Sequence, residues 1–295
     1  MTLSAAMDQT GRVLLDECGE PLFPWWSFTK TAIAVLVMQA WERQQCDLDA
    51  PFREHPFSLR QLMQHRAGLR DYGALPGYGD AVAQGADPWS VEQLLAEADF
   101  RNLAYPPGTN WVYSNVGYLL LRQFLEEVHN ASLAEIMQAR ICQPLGLTAR
   151  VARTRDDFEQ LYWNAHGYHP DWVYHGCLMG TATDALRLLR AVLNGDLLSA
   201  ASKDQLLSRS MQGPAIPGRV WSETGYGLGL MIGAAQPVGR VIGHTGCGPF
   251  SANLIAQFPD TPSGLLVASF CPMGDETPAE FEAVKLATKL NELRA

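Results

Sequence analysis

The run Phe23-Pro24-Trp25-Trp26-Ser27-Phe28-Thr29-Lys30-Thr31-Ala32-Ile33-Ala34-Val35-Leu36-Val37-Met38 sets the centre of this chain. Beyond Lys30, the apolar residues Ile33, Leu36, Val37, Ala40 and Trp41 recur at three- and four-residue steps, the spacing of one helix face. The residues between them (Ala32, Ala34, Val35, Met38) are apolar too. A helix over about 27–44 is therefore predicted, with its first half buried nearly all round. Such a helix must be enclosed by other elements, so the rest of the chain is read as its surroundings.

Ser27 and Lys30 stand at the start of that helix. Positions i and i+3 project from nearly the same face, which brings the amine towards the hydroxyl. The helix N-terminus also offers backbone N–H groups to a developing anion. A serine becomes a nucleophile when a neighbour takes its proton, and a lysine desolvated among Phe23, Trp25, Trp26 and Phe28 can do so. The same residues equally suit a capping serine beside a lysine that snorkels from a helix end.

Outward from this helix, Leu3 to Gln9 and Arg12 to Cys18 around Thr10-Gly11 read as a hairpin. Near the other terminus come four short strands: Tyr226 to Gly233, Arg240 to His244, Ser251 to Phe258 and Gly264 to Phe270. A last helix follows, with Thr277 as cap, Pro278 in the first turn, Glu280 completing a capping box, and a stripe of Ala283, Leu286, Ala287, Leu290 and Leu293. The middle of the chain is helical. Ser58/Gln61, Ser90/Gln93 and Ser132/Glu135 have capping-box spacing, and Asp184 is placed as cap of a helix that stops at Gly195. The loops Tyr72 to Gly79 and Tyr105 to Thr109 look like linings of a site. The expected fold is α+β: a mostly antiparallel sheet flanked by N- and C-terminal helices (1–45 plus 215–295), an inserted all-helical lobe (46–214), and an active site in the cleft between them.

Composition narrows the function. The 295 residues carry a net charge of −9 without a basic run, which disfavours nucleic acid and anionic membranes as partners. The longest apolar run, Ala32 to Met38, is far short of the roughly 20 residues that span a bilayer. The first residues, Met1 to Ala6, lack a basic start and an apolar stretch, so a soluble, cytoplasmic protein is expected. Cysteines 18, 46, 142, 177, 247 and 271 show no C-x-x-C spacing and are expected as free thiols. His166, His169 and His175 lie in a stretch rich in Trp, Tyr, Gly and Pro that promises no fixed ligand geometry. A polar loop near a cleft is expected there, with no metal and no cofactor.

Two further groups carry chemistry. In Tyr113-Ser114-Asn115, a phenol beside the Ser/Lys pair can shuttle a proton and a carboxamide can orient the lysine and grip a substrate amide. A helix cap and half-buried packing are the structural alternative. Tyr162-Trp163-Asn164 repeats the pattern but lacks a following apolar helix. In His244-Thr245-Gly246-Cys247-Gly248, a glycine at a strand end lets a substrate backbone approach, and the Cys247 N–H can point at a carbonyl oxygen. His244 would add a polar side chain that can carry a positive charge, although a tight turn accounts for the segment as well.

Taken in order, S-x-x-K, Y-x-N and H-x-G, these motifs make the chain resemble the serine β-lactamase and penicillin-binding-protein superfamily. Ser58 to Leu69, Pro144-Leu145-Gly146-Leu147, Gly180 to Asp184 and Tyr226-Gly227-Leu228-Gly229 are similar to its further landmarks. Tyr113 points to the class C β-lactamase branch, with its D-alanyl-D-alanine peptidases, D-aminopeptidases and esterases. His244 in place of lysine argues against a dedicated class C β-lactamase. The resemblance implies Ser27 as acylated nucleophile, Lys30 as its base and Tyr113 as acid/base relay. It implies Asn115 and His244 as substrate-side groups, with the N–H groups of Ser27 and Cys247 beside Gly246 as an oxyanion hole. Trp26 departs from the usual small residue before the nucleophile, and Ala67 replaces a serine. The function implied is acyl-enzyme hydrolysis of an ester, amide or β-lactam bond, foremost by a cytosolic esterase or a D-amino-acid amidase or peptidase acting on a small ester, amide or peptide. The alternative is a non-catalytic binding or sensing module. The chain has no G-x-S-x-G, H-E-x-x-H or G-x-x-x-x-G-K, so other hydrolase and P-loop classes find no support.

Overall fold

The computed structural model describes residues 1–293. Eleven strands are present among them: β1 (Leu3–Met7), β2 (Val13–Asp16), β3 (Phe23–Pro24), β4 (Arg150–Ala152), β5 (Cys177–Gly180), β6 (Met211–Pro214), β7 (Trp221–Tyr226), β8 (Met231–Ala235), β9 (Gly239–Cys247), β10 (Ala252–Phe258) and β11 (Leu265–Cys271). Eight form one antiparallel sheet in the order β2-β1-β11-β10-β9-β8-β7-β6, and β3-β5-β4 form a second. The chain's first and last strands pair directly, from Leu3 opposite Phe270 to Met7 opposite Leu266. This is the α+β architecture expected, with the N-terminal hairpin and the C-terminal meander in a single sheet.

Four helices organise the core: α1 (Thr29–Glu42), α2 (Asn115–His129), α3 (Ala182–Asn194) and α4 (Thr277–Glu292). Every residue of α1 from Thr29 to Ala40 is buried, as its unbroken apolar texture requires. β10 and β11 are also buried throughout, because the sheet is covered on both faces. Their two-residue period divides them. Leu254, Ala256, Phe258 and Val267 pack with Ala283, Leu286 and Ala287 of α4, whereas Ile255, Leu266, Ala268 and Phe270 join the larger core with α1 and α3.

Ser58 and Ser132 form the capping boxes expected, and Ser90 accepts the Gln93 N–H. Other elements differ from the sequence reading. The predicted strand Tyr226 to Gly233 is interrupted: Tyr226 ends β7, 227–230 form a turn, and Met231 opens β8. Gly229 has φ +71, and a Cβ there would come within 2.6 Å of Ala34 Cβ, so only glycine fits this reversal against α1. Thr31 Oγ1 holds the turn by donating to the Gly229 carbonyl at 2.7 Å. α3 is capped by Thr181, whose hydroxyl accepts the Asp184 N–H, while the Asp184 carboxylate accepts from Thr148. At α4, Asp275 accepts the Thr277 N–H at 2.9 Å. Glu280 forms no box there, because it is wholly buried against Arg219 and the Trp221 indole. Leu293 falls outside the buried stripe. The stretch 46–214 is largely but not wholly helical, since it contributes β4 and β5 to the small sheet and β6 to the edge of the large one.

Candidate active site

Ser27 lies in a single 3₁₀ turn, Trp26–Phe28, that leads into α1. Trp26 adopts φ 44, a left-handed conformation that a bulky residue rarely takes. Its indole is pinned: Nε1 donates to Ser251 Oγ at 3.0 Å, and the ring meets Phe158, Tyr168 and Phe250 edge-on. The end of β9 lies on this indole so closely that a Cβ at Gly248 would stand 2.3 Å from the ring, and one at Gly246 would stand 2.7 Å from Trp26 Cβ. The tryptophan before Ser27 is thus buried beneath the β9 end, and the glycines at 246 and 248 are the space it requires.

Lys30, one turn on, is 0 % exposed. Its Nζ lies 3.0 Å from Ser27 Oγ, 2.7 Å from Asn115 Oδ1 and 3.1 Å from His175 Nε2. It also sits 5.0 Å from the ring centroid of Tyr113 and 5.6 Å from that of Tyr118. The Ser27 side chain acts on the Tyr113 phenol, lowering its pKa against the larger effect of burial. Asn115 opens α2, and Asp71 grips it twice: Oδ1 accepts the Asn115 N–H at 2.8 Å and Oδ2 accepts from Nδ2 at 3.2 Å. That double contact fixes which end of the carboxamide faces the lysine. His65 supports the floor. Its Nδ1 accepts the Ser114 N–H at 3.1 Å, and its ring lies 4.2 Å from that of Tyr113.

Burial governs the charges here. It lowers the Lys30 pKa to about 7, against the pull of Asp71 and Cys177. Burial drives the Tyr113 phenol well above its ordinary value, with the Ser27 side chain opposing it. His65 and His175 are held well below the usual imidazole range by burial and then by Lys30, and His244 is lowered to about 3 for the same reasons. Near neutral pH the site therefore offers a lysine that readily loses its proton, a phenol that keeps its own, and three uncharged imidazoles. Such a set can accept a proton from Ser27 and return one to a leaving group. A cavity of about 210 Å³ opens onto it, lined by Ser27, Asn115, His175 and Cys247, with Trp26, Tyr72, Tyr78, Tyr168 and Trp172 among the aromatic walls.

A family profile described as Beta-lactamase matches residues 15–287, nearly the whole chain. This protein belongs to the beta-lactamase family. Penicillin-binding protein 4* of Bacillus subtilis is 26% identical over 239 residues, 72% of this chain and 51% of that protein. A D-aminopeptidase of Brucella anthropi is 33% identical over 176 residues, 58% of this chain and 29% of that protein. The chain therefore spans about half, or less, of the length of these curated relatives. Among solved structures, the D-amino acid amidase from Ochrobactrum anthropi SV3 complexed with L-phenylalanine superposes with a TM-score of 0.80 at 19% identity. That match covers 100% of this chain and 95% of the amidase, a likeness of fold.

Ser27, Lys30, Tyr113 and Asn115, 85 residues apart from Lys30 to Asn115, thus converge in this family member. Gly246 and Cys247 close the β9 side, and Cys247 lies exposed on the cavity wall. His244 is brought to the group from behind and is not a charged flank of the cleft. It is 1 % exposed, its Nε2 lies 2.8 Å from the Tyr226 hydroxyl, and its Nδ1 meets the Thr245 carbonyl. The decoy Tyr162-Trp163-Asn164 packs elsewhere, with Tyr162 and Trp163 against Phe23. Of the three clustered histidines, only His175 reaches the site. His169 accepts the Asp171 N–H and His166 is exposed, and among the described residues no three metal-ligating side chains gather. Tyr72, Gly73 and Tyr78 line the cavity as expected, but the stretch is not a loop, since Tyr72–Ala74 form a 3₁₀ turn and Pro76–Ala83 a helix. The loop Tyr105 to Thr109 instead packs by Gly68 and Arg66. Sequence reading missed Asp71, took His65 only as part of the Ser58 to Leu69 landmark without a role in the site, and undervalued His175; none of the three shares a local spacing with Ser27. Among the described residues no helix is long and apolar enough to cross a membrane.

Proposed function

We propose that this protein is a serine hydrolase that works through an acyl-enzyme on small amides or esters, D-amino-acid derivatives foremost. The observation that carries the reading is the wholly buried Lys30 amine 3.0 Å from Ser27 Oγ. The neutral amine accepts the hydroxyl proton as Ser27 Oγ bonds to the substrate carbonyl carbon. The resulting oxyanion takes hydrogen bonds from the N–H groups of Ser27 and Cys247. The leaving amine or alcohol departs with a proton passed from Lys30 through Tyr113, and Asn115 holds the substrate amide. Water then adds to the acyl carbon, and Ser27 regains its proton as the acid is released.

The cleft between 1–45 plus 215–295 and the mainly helical 46–214 is the proposed place of binding. The aromatic walls suit an apolar acyl side chain. Among the described residues lining the cavity none is an arginine or a lysine, and His244 is uncharged, so neutral leaving groups are favoured over a free terminal carboxylate. The names of the D-aminopeptidase relative and the D-amino acid amidase fold relative support the D-amino-acid choice.

The test is covalent labelling with a fluorophosphonate and turnover of paired D- and L-amino-acid amides. Labelling is expected in the native protein and lost in Ser27→Ala, with thermal stability nearly unchanged because Ser27 is half-exposed. Labelling that survives Ser27→Ala removes this serine from the role. A stoichiometric burst with no later turnover on any ester or amide favours a binding module instead.

A further inference from the structure

His175 touches the centre of this scheme without yet having a part in it. Its Nε2 lies 3.1 Å from Lys30 Nζ, and its Nδ1 is buried with no hydrogen-bond partner among the described residues. The ring stands edge-on to Tyr118 at 6.4 Å and forms part of the cavity that holds Ser27. A buried polar atom left without a partner is uncommon and asks for a reason.

Counting donors supplies one. A protonated Lys30 has three N–H donors, and three acceptors surround it: Ser27 Oγ, Asn115 Oδ1 and His175 Nε2. When the amine loses a proton it keeps two donors and gains a lone pair. Asn115 Oδ1 can only accept, because Asp71 fixes the carboxamide. The lone pair must therefore face either the serine O–H or the imidazole. With the imidazole proton on Nε2, the lone pair is consumed by His175 and the serine keeps its proton. With that proton on Nδ1, Nε2 goes on accepting and the lone pair is left for Ser27.

We infer that His175 is a positioning residue for the Ser27–Lys30 pair: as the Nδ1–H tautomer, it takes one lysine N–H on its bare Nε2 and leaves the amine lone pair aimed at the serine hydroxyl. The inference rests on the serine-hydrolase reading above. The orphaned Nδ1–H is the cost of this arrangement. The other groups that act on the lysine are Asp71 and Cys177, which favour its charge. The lysine charge in turn lowers the imidazole pKa of His65 and His244, and the Tyr113 and Tyr118 rings face it. Arg122 acts on His175 itself.

Pre-steady-state acylation by p-nitrophenyl acetate, followed across pH, tests it in two variants. His175→Leu keeps an apolar side chain of similar reach but no acceptor, and His175→Gln restores an acceptor close to the Nε2 position. In His175→Leu the acylation rate is expected to fall roughly 10- to 100-fold, the loss of one hydrogen bond to a charged group. KM should change little. The acid limb of the profile should move to lower pH by about one unit, since the ammonium loses an acceptor while it stays desolvated. His175→Gln should return both rate and limb towards native values. A His175→Leu with native rate and limb, or a Gln variant as impaired as Leu, overturns the inference. Nitrogen NMR of the native protein, with the ring assigned through its contact with Tyr118, reads the tautomer without any variant; a proton on Nε2 also overturns it. If native protein is not acylated by any ester or fluorophosphonate, the hydrolase reading fails. If native protein is acylated and His175→Leu is unaltered, only the role of His175 fails.

Discussion

Replacing Lys30 with methionine should abolish acylation and at the same time make the protein more stable at neutral pH. The Lys30 side chain is fully enclosed, and its pKa is drawn from 10.5 down to about 7. That displacement sets an upper bound of about 5 kcal/mol on the cost of keeping the charged amine in the native state. Methionine has similar length, buries without that cost, and gives up the contacts to Ser27, Asn115 and His175. The net gain expected is about 1–3 kcal/mol. The pH dependence follows from which state holds the proton. Below about pH 7 the lysine is charged in both native and unfolded chains, and the full cost is present. Between about 7 and 10.5 the unfolded chain still binds the proton and the native chain does not, so native stability rises with pH. Urea denaturation of both proteins at neutral and alkaline pH measures this. The advantage of Lys30→Met should shrink as pH climbs, and the difference between the two curves cancels other titrating groups. A methionine variant less stable than native at pH 7, with no convergence at higher pH, would refute the claim that burial lowers the pKa of this amine.

Two other changes probe the surroundings. Asp71→Asn places a donor where Oδ2 now accepts from Asn115 Nδ2, and it removes a charge that favours the lysine ammonium. The acylation rate should fall about tenfold or more, and the acid limb should move below the native value in a pH–rate profile. An unchanged profile would show that Asp71 has no hold on Lys30. Gly248→Ala drives a methyl group into the Trp26 indole, which is buried and tied to Ser251. A loss of about 1–3 kcal/mol in denaturant unfolding is expected, with slower labelling of Ser27, and native values for both would mean that the β9 end shifts freely.

Family membership was legible before any coordinates because its markers are short and local. Ser27 and Lys30 are three residues apart at a helix start, Tyr113 and Asn115 straddle a helix cap, and Gly246 ends a strand, so each motif reports geometry set by a few backbone torsions. The enclosure of α1 followed in the same way from its unbroken apolar surface, and the caps at Ser58 and Ser132 from spacings within one turn.

What sequence alone determined, then, was the set of interactions that reach no further than about one turn or one strand: the buried helix, the hairpin, the meander and the motif pairs. Only the tertiary structure decided which distant groups complete the site. Asp71 grips Asn115 from 44 residues away, and His175 meets Lys30 across 145. It also decided that His244 lies uncharged behind Tyr113 rather than on the cleft, that the chain reverses at Gly229 against α1, and that Thr181 rather than Asp184 caps α3. The physical reason is common to these cases. Desolvation, and the pairing of buried polar atoms, depend on everything packed around a group, whatever its separation along the chain.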